Sequence, residues 1–510
     1  MSGDKESALL RQETARRTQG CAAILAAGLL SLAGCLPNVD RPDAALDVPD
    51  GYRAASRSAP DLALPPLDWW RGFRSSELTA LIEEAQSVNL DIAAAAARIS
   101  QADAQARIAG AALLPTIDAN GSGTHSRSSI ATGSSGGGAG FRREGNVYQA
   151  SLSASYEVDF WGKNRALLEA ARYSSVASRF DREVIALSTI ASVANTYFQI
   201  LAAQDRLANA RENVRAASHI LDLVKQRYDV GSQLATALEL AQQQALVAQQ
   251  RAQIPPLVQT IKQSTDALAT LIARPPERVI IHGGSMRRLA IPRVTPGLPS
   301  DLLTRRPDIR EAEANLAAAN ANVYAARAAF LPNIQLTGQD GFQSAILRSL
   351  FRPEALFFSI AASVTQPIFD GGTLLGQLEQ QKGKQEELLQ TYRKTIISGF
   401  QDVDDALVAV KQQTELVRLD RAVVEASKRA YDVADRRFQE GTVDLVNVLQ
   451  TEQTLFQARD ALALAELSRL QAIVSLYQAL GGGWPPPEAL IAEANPGGYI
   501  WSGIPLPATK

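Results

Sequence analysis

An internally duplicated α+β membrane protein is the fold class this sequence predicts. Three observations predict it: a long internal repeat, β-strands of membrane height, and two stretches of about 65 residues without proline, between Gly162 and Gly231 and between Gly372 and Gly441. Asn89–Gly121 aligns with Arg306–Gly338 without a gap at an offset of 217, matching Asp91 with Asp308, Ile92 with Ile309, Leu114-Pro115 with Leu331-Pro332 and Ile117 with Ile334. The match resumes at an offset of 210, where Arg227-Tyr228-x-x-Gly231 meets Arg437-Phe438-x-x-Gly441. Each copy reads as helix, Pro, two alternating strands, one very long helix, a Gly turn and a returning helix. A repeat of this length specifies an architecture rather than a surface motif.

Residues 1–34 read as an export signal. Arg11, Arg16 and Arg17 precede an apolar run from Cys21 to Leu32, which is too short to span a bilayer that needs about 20 residues. The run ends in Leu32-Ala33-Gly34-Cys35. That sequence resembles a bacterial lipobox, in which cleavage leaves the cysteine, here Cys35, as a lipid-modified N-terminus. Segments 35–75, 76–273, 274–305, 306–483 and 484–510 are then expected as the lipidated N-terminal segment, the first repeat, a linker, the second repeat and a C-terminal segment.

Composition narrows the function. With Cys21 and Cys35 assigned to the signal, no cysteine remains for a disulfide or a thiolate metal site. His125, His219 and His282 are the only histidines and lie far apart in sequence, so neither a metal nor a cofactor is expected. A net charge of −2 argues against a nucleic-acid partner. No apolar run after residue 35 reaches about 18 residues, so no transmembrane helix is expected. Contact with a membrane is left to lipid and strands.

In the strand expected at Val147–Phe160, Tyr148, Ala150, Leu152, Ala154, Tyr156, Val158 and Phe160 alternate with Gln149, Ser151, Ser153, Ser155, Glu157 and Asp159. Ile117, Ala119, Gly121 and Gly123 alternate with Thr116, Asp118, Asn120, Ser122 and Thr124. Asn333–Gln339 and Phe358–Thr365 repeat the pattern in the second copy. About 13 residues at 3.3 Å each, tilted near 45°, rise roughly 30 Å. A soluble half-buried sheet shows the same alternation, but the export signal, the strand length and the small polar Ser, Thr and Asn side chains favour a wet lumen. Four strands cannot close a barrel, since at least about eight are needed, and three chains would supply twelve. The run Gly133-Ser-Ser-Gly-Gly-Gly138 reads as a hairpin loop, without the Lys-Ser/Thr ending of a phosphate loop.

Leu389, Tyr392, Ile396, Phe400, Val403, Leu407 and Val410 recur at a mean spacing near 3.5, as do Phe180, Val184, Leu187, Ile190, Ala194, Tyr197 and Leu201. That spacing specifies coiled-coil packing. Shorter helices are expected at about Glu77–Leu113, Leu234–Ala273, Pro307–Phe330 and Asp444–Leu480. The tracts Arg274–Pro299 and Trp484–Pro507, with the segment before Trp69, are expected to form a separate compact belt. Phe160 and Trp161 suit an aromatic girdle at the strand end, with core packing the competing account of Trp161.

These motifs together resemble the TolC-like outer-membrane factors, in particular the lipoprotein, NodT-type members that serve efflux. The carriers are Trp69-Trp70 with Phe73, Asn89-Leu90-Asp91-Ile92, Tyr156-Glu-Val-Asp-Phe-Trp-Gly-Lys163, Leu303-Thr-Arg-Arg-Pro-Asp-Ile-Arg310, Ala328-Ala-Phe-Leu-Pro332, Gln366-Pro-Ile-Phe-Asp-Gly-Gly372 and Leu480-Gly-Gly-Gly-Trp484. The resemblance implies a homotrimer with a twelve-stranded barrel in outer-membrane lipid, continued by a twelve-helix α-barrel through the periplasm. It further implies a periplasmic adaptor (membrane fusion protein) and an inner-membrane pump of the proton-driven resistance-nodulation-division type. The implied function is an exit duct for drugs or other small molecules; the alternative is the duct of a type I protein secretion system.

By the same resemblance, adaptor-contacting tip turns fall at Tyr228, Gly231, Phe438 and Gly441. A periplasmic gate falls at Val443, Asp444, Asn447 and Gln450; by their place on the polar face of the alternating strands, Asp118, Glu157 and Asp159 are expected in the barrel lumen. Asp444 is the one acid left for a gate ring; a solvated helix cap is the competing reading. A lipidated adaptor would share the anchor and the coiled-coil helices but lack membrane-height strands. An enzyme would need a convergent set of catalytic groups. No acidic motif is duplicated beyond Asp91 and Asp308, which most simply cap helices.

Overall fold

The structure is a computed structural model, and it describes residues 49, 51–53, 66–127, 144–230, 236–292, 294, 299–482, 484, 490, 499–501 and 504–505. The expected signal, Cys35, the glycine-rich run at 133–138 and Gly231 lie outside the described residues. Nine α-helices are described: α1 (Ser76–Val88), α2 (Leu90–Ala111), α3 (Lys163–Asp229), α4 (Ala237–Ala252), α5 (Ile254–Leu271), α6 (Pro299–Arg305), α7 (Pro307–Ala328), α8 (Thr373–Gln439) and α9 (Leu445–Ala479). Strands β1 (Thr116–Arg127), β2 (Glu144–Glu157), β3 (Asn333–Ser344) and β4 (Leu356–Thr365) form one sheet, and a short pair, β5 (Tyr499–Trp501) and β6 (Ile504–Pro505), lies near the C-terminus.

The duplication is visible element by element. Helices α2 and α7 have 22 residues each, and α3 and α8 have 67 each. The long pair therefore each run roughly 100 Å at 1.5 Å per residue. The compact units do not follow the repeats. One unit holds residues 112–167 and 320–383, taking a hairpin from each repeat; the other holds 44–111, 168–319 and 384–510.

In the first unit the strands run β1-β2-β3-β4, antiparallel throughout, so β1 and β4 are the edges. Register places Ala154 beside Ile117 and Gly338, and Gly338 beside Ile360. Tyr156, Leu336 and Ala362 form the next row. The other face carries Asp118, Ser153, Gln339 and Ser359 in one row and Thr116, Ser155, Thr337 and Ala361 in another. Burial is the reverse of that in a soluble sheet. Leu152 is 55% exposed and Ile360 86%, while Ser151 is 7% exposed. Amides bridge the polar face, with Asn120 Nδ2 donating to Ser153 Oγ at 3.0 Å and Gln339 Nε2 to Ser151 Oγ at 3.0 Å. Asp340 breaks the apolar face, standing between Leu152 and Phe358; nothing else in the sheet accounts for it.

Strand β2 ends at Glu157, short of the expected Phe160. The cause is a helix cap: Asp159 accepts the backbone N–H groups of Asn164 and Arg165, each at 2.9 Å, and so turns the chain into α3. Asp370 does the same for α8, accepting from Gly372 at 2.9 Å and Leu374 at 2.7 Å. Gly162 and Gly372, with φ of 76° and 87°, supply the left-handed turn in each copy. Trp161 is half-buried and donates Nε1–H to the Pro332 carbonyl at 2.8 Å, whereas Phe160 is 56% exposed.

In the second unit every expected coiled-coil position of α3 and α8 is buried or half-buried. Two expected helices are each broken in two. Asn89 takes an extended conformation, its Oδ1 accepts from Asp91 and Ile92 N–H, and its Nδ2 donates to the Leu271 carbonyl at 2.8 Å, ending α1 and starting α2. Asn89, not Asp91, is thus the cap. Asp308 is paired with Arg306 at 2.7 Å and also accepts Ile309 N–H. Pro255 and Pro256 bring no N–H donors and end α4 before α5.

The belt is not separate. Trp69, Trp70 and Phe73 form one core with Ile190–Leu201 of α3, Leu268 of α5, Tyr477 of α9 and Met286 of the linker. Trp69 stacks on Tyr477 at 4.7 Å. Glu77 clamps the linker by accepting His282 N–H at 2.9 Å and Gly283 N–H at 3.1 Å. One stretch of α3 is long and apolar enough to cross a membrane, contrary to expectation, but more than half of it is buried within the chain. A core role explains its composition.

The reversed burial of the sheet yields a test. Leu152→Arg should cost about 2 to 4 kcal/mol if the apolar face meets lipid near the midplane, and Ser153→Arg should be tolerated. The yield of heat-modifiable protein on unboiled gels should fall sharply for the first alone; equal yields would assign the strands to a soluble sheet.

Candidate functional site

The duct that the resemblance implies would act through its wall and its ends, so the groups to inspect line the polar sheet face and the turns that join the long helices to their return helices. On the sheet, Asp118 is exposed on the polar face. Glu157 shares that face, but its Oε1 is bound by Lys163 Nζ at 2.5 Å. Asp159 leaves the lumen assignment altogether. Its carboxylate is 7% exposed and is consumed by the first turn of α3 and by Arg165 Nε at 3.1 Å. An acid just before a helix meets free N–H groups, and they outcompete water for it.

At the second tip turn, Gly441 has φ of 75° and its N–H donates to Phe438 O, while Thr442 N–H donates to Arg437 O at 2.9 Å. This is a glycine helix stop. Phe438, expected to face an adaptor, is instead buried at 4% exposure among Ile220, Val224, Leu445 and Val448. An aromatic ring without a hydroxyl has no polar atom to keep wet, so it fills the core between α3, α8 and α9. Arg227 covers it, with its guanidinium 4.5 Å from the ring centre. The same group donates to the carbonyls of Phe438 at 2.9 Å and Gln439 at 3.1 Å, so it caps the end of α8. Sequence reading quoted Arg227 only as a repeat match; its pairing with an aromatic residue in the other copy was the available signal. Tyr228 is 42% exposed.

Beyond the turn, Asp444 occupies the N-cap position of α9 with φ −74° and ψ 152°, yet its side chain makes no capping bond and is exposed. Asn447 and Gln450 follow at helical spacing and are also exposed, while Val443 is half-buried. Asp444 is thus the exposed N-cap residue of the competing reading, with a carboxylate that makes no capping bond. In the same unit, an open cleft of about 430 Å³ lies along α7 and α8, lined by Asp308, Glu311, Asn315, Lys394 and Ser398. Burial, then Asp181 and Asp308, push the Glu311 carboxyl up to about 7. Among the described residues no group of three or more His, Cys, Asp or Glu is placed to hold a metal.

Comparison with known proteins agrees with this geometry. The family model for outer membrane efflux proteins matches residues 81–274 and 298–482. The chain belongs to that family. It is 40% identical over 456 residues to the pyoverdine export outer membrane protein OpmQ of Pseudomonas putida, covering 89% of this chain and 96% of that protein. The toluene efflux pump outer membrane protein TtgC of Pseudomonas putida is 33% identical over 468 residues, covering 90% and 95%. Among solved structures, the Campylobacter jejuni CmeC outer membrane channel superposes with a TM-score of 0.81 at 27% identity, covering 90% of this chain and 97% of that one. The outer-membrane efflux fold places this chain in the outer membrane, extending into the periplasm, as the exit duct of an efflux system.

Proposed function

We propose that three copies of this outer membrane efflux protein close one pore, held in the outer membrane by twelve strands and by acyl chains on Cys35. The pore receives small molecules from a periplasmic adaptor and a proton-driven inner-membrane pump of the resistance-nodulation-division type. The observation that carries this reading is the four-stranded sheet with apolar side chains outward, polar side chains inward and two unpaired edges. In a bilayer those edges must find partners, and further copies of β1 and β4 are the natural ones. The protein conducts cargo rather than transforming it. The pyoverdine export for which a relative 40% identical is named supports cargo of that kind, and favours efflux over the secretion of a protein.

Within the pore, Asp118 and Glu157 belong to the lumen wall, and Asp444, Asn447, Gln450 and Val443 to the constriction. Tyr228, Gly231 and Gly441 mark the turns offered to the adaptor. Symmetry would bring three Asp444 carboxylates near one axis, where acids attract cations.

Planar bilayers provide the test. The purified protein should form cation-preferring pores, and Asp444→Asn should reduce cation preference and weaken block by divalent cations without changing trimer yield. Absence of pores contradicts the duct, and unchanged selectivity removes Asp444 from the gate. The anchor is tested separately: radiolabelled palmitate should enter the wild type and not Cys35→Ser, and equal labelling of both would sink it.

A further inference from the structure

Two turns beyond Asp444, the helix bundle encloses an acid that neither sequence pattern nor family resemblance singled out. Glu452 of α9 is fully buried, at 0% exposure. Both of its carboxyl oxygens lack a hydrogen-bond partner, as do Gln243 Oε1 on α4 and Asp435 Oδ1 on α8. All four orphans are acceptors. Gln243 Nε2 gives one N–H to the Ala217 carbonyl at 2.8 Å while its amide faces Glu452, and the second oxygen of Asp435 accepts from Gln439 at 3.1 Å.

The surroundings offer no counter-charge. α4 contributes Gln243, whose amide also reaches the Ala217 carbonyl of α3. α8 contributes Asp435 with Tyr431, and Asp432 lies within reach of that tyrosine. Of the two arginines on α9, the nearer in sequence, Arg459, reaches Asn213 of α3 at 3.4 Å. A buried carboxylate with an amide but no cation beside it is costly, whereas a buried neutral acid can donate to one of the orphaned acceptors. In keeping with this, burial pushes the Glu452 carboxyl up to about 7, with Gln243 opposing and Asp435 adding to the rise. Burial and then Glu452 push the Tyr431 hydroxyl upward as well.

We propose that Glu452 is a proton-operated latch of the periplasmic tip: neutral, it donates to Gln243 Oε1 and keeps α3, α4, α8 and α9 packed; ionised, it drives them apart to reach water. The proton passes to periplasmic water, and parting these helices widens the entrance beside the Gly441 turn. This rests on the duct reading above. The sign follows from a raised pKa: the packed tip is most stable below the ordinary glutamate range of about 4.5, loses that stability as pH rises through about 7, and changes little beyond.

The test compares wild type with Glu452→Gln, a neutral mimic of the protonated acid, in planar bilayers from about pH 5 to about pH 9. The wild-type open fraction should rise at least about tenfold, the change that one pKa unit supports. The variant should stay at the low-pH value throughout. Hydrogen exchange of the α9 amides around Glu452, corrected for the intrinsic pH dependence, provides the second reading. Protection should fall through neutral pH in the wild type and remain flat in the variant. An identical titration of pores or protection in both proteins overturns the latch and leaves the duct standing. If the wild type conducts nothing, the duct reading fails and exchange alone decides the latch. If the variant does not assemble, a wild-type tip with pH-independent protection still overturns it.

Discussion

A bilayer cannot hydrogen-bond a peptide group, and that constraint organises the molecule. A strand in lipid must be paired on both sides, so a sheet ending in β1 and β4 is incomplete as a monomer. The side chains agree with the backbone. Ile117, Leu152, Ile360 and Val364 lie on the exposed face, and the serines of β2 lie on the sheltered one, so water belongs inside the curve and hydrocarbon outside. In a soluble protein this distribution would be a defect. In an outer membrane it makes a wall.

The helical unit obeys the opposite rule. Its apolar groups point inward around the Trp69–Tyr477 stack, and several of its acids are spent on local geometry: Glu77 on the linker, Asp308 and Asp402 on Arg306. Near the tip the economy changes. Arg227 shields Phe438 and satisfies the end of α8, while Glu452 faces other acceptors. A fully satisfied turn therefore sits beside an unsatisfied core. Such a boundary is where a small change of charge can shift packing.

Much of the fold was legible because period and repeat report on backbone geometry directly. Alternation located the four strands of the sheet but not the short C-terminal pair, and proline-free length located both 67-residue helices. What escaped depended on side chains acting across the chain. Asn89 breaks a helix through a bond to Leu271, which is remote in sequence. Asp159 continued the polar alternation of β2 and so looked like a lumen residue, although the helix behind it claims the carboxylate. Phe438 read as a tip residue because it repeats Tyr228 at the turn where the resemblance puts the tip; Tyr228 is exposed and Phe438 buried, and no periodicity encodes that difference. The belt looked separate because its composition is irregular, yet its aromatic residues serve the helical core.

The central claim is that β1 of one copy pairs with β4 of another. A cysteine at Gly121, where a Cβ meets nothing within 4 Å, combined in turn with cysteines at Leu356, Phe358, Ile360, Ala362 and Val364 on the same face of β4, tests it by oxidation in intact outer membranes. The account predicts interchain disulfides at one register, giving covalent dimers and trimers. Failure at every position, or crosslinking of Gly121→Cys only to its own copy in a neighbouring chain, would contradict it.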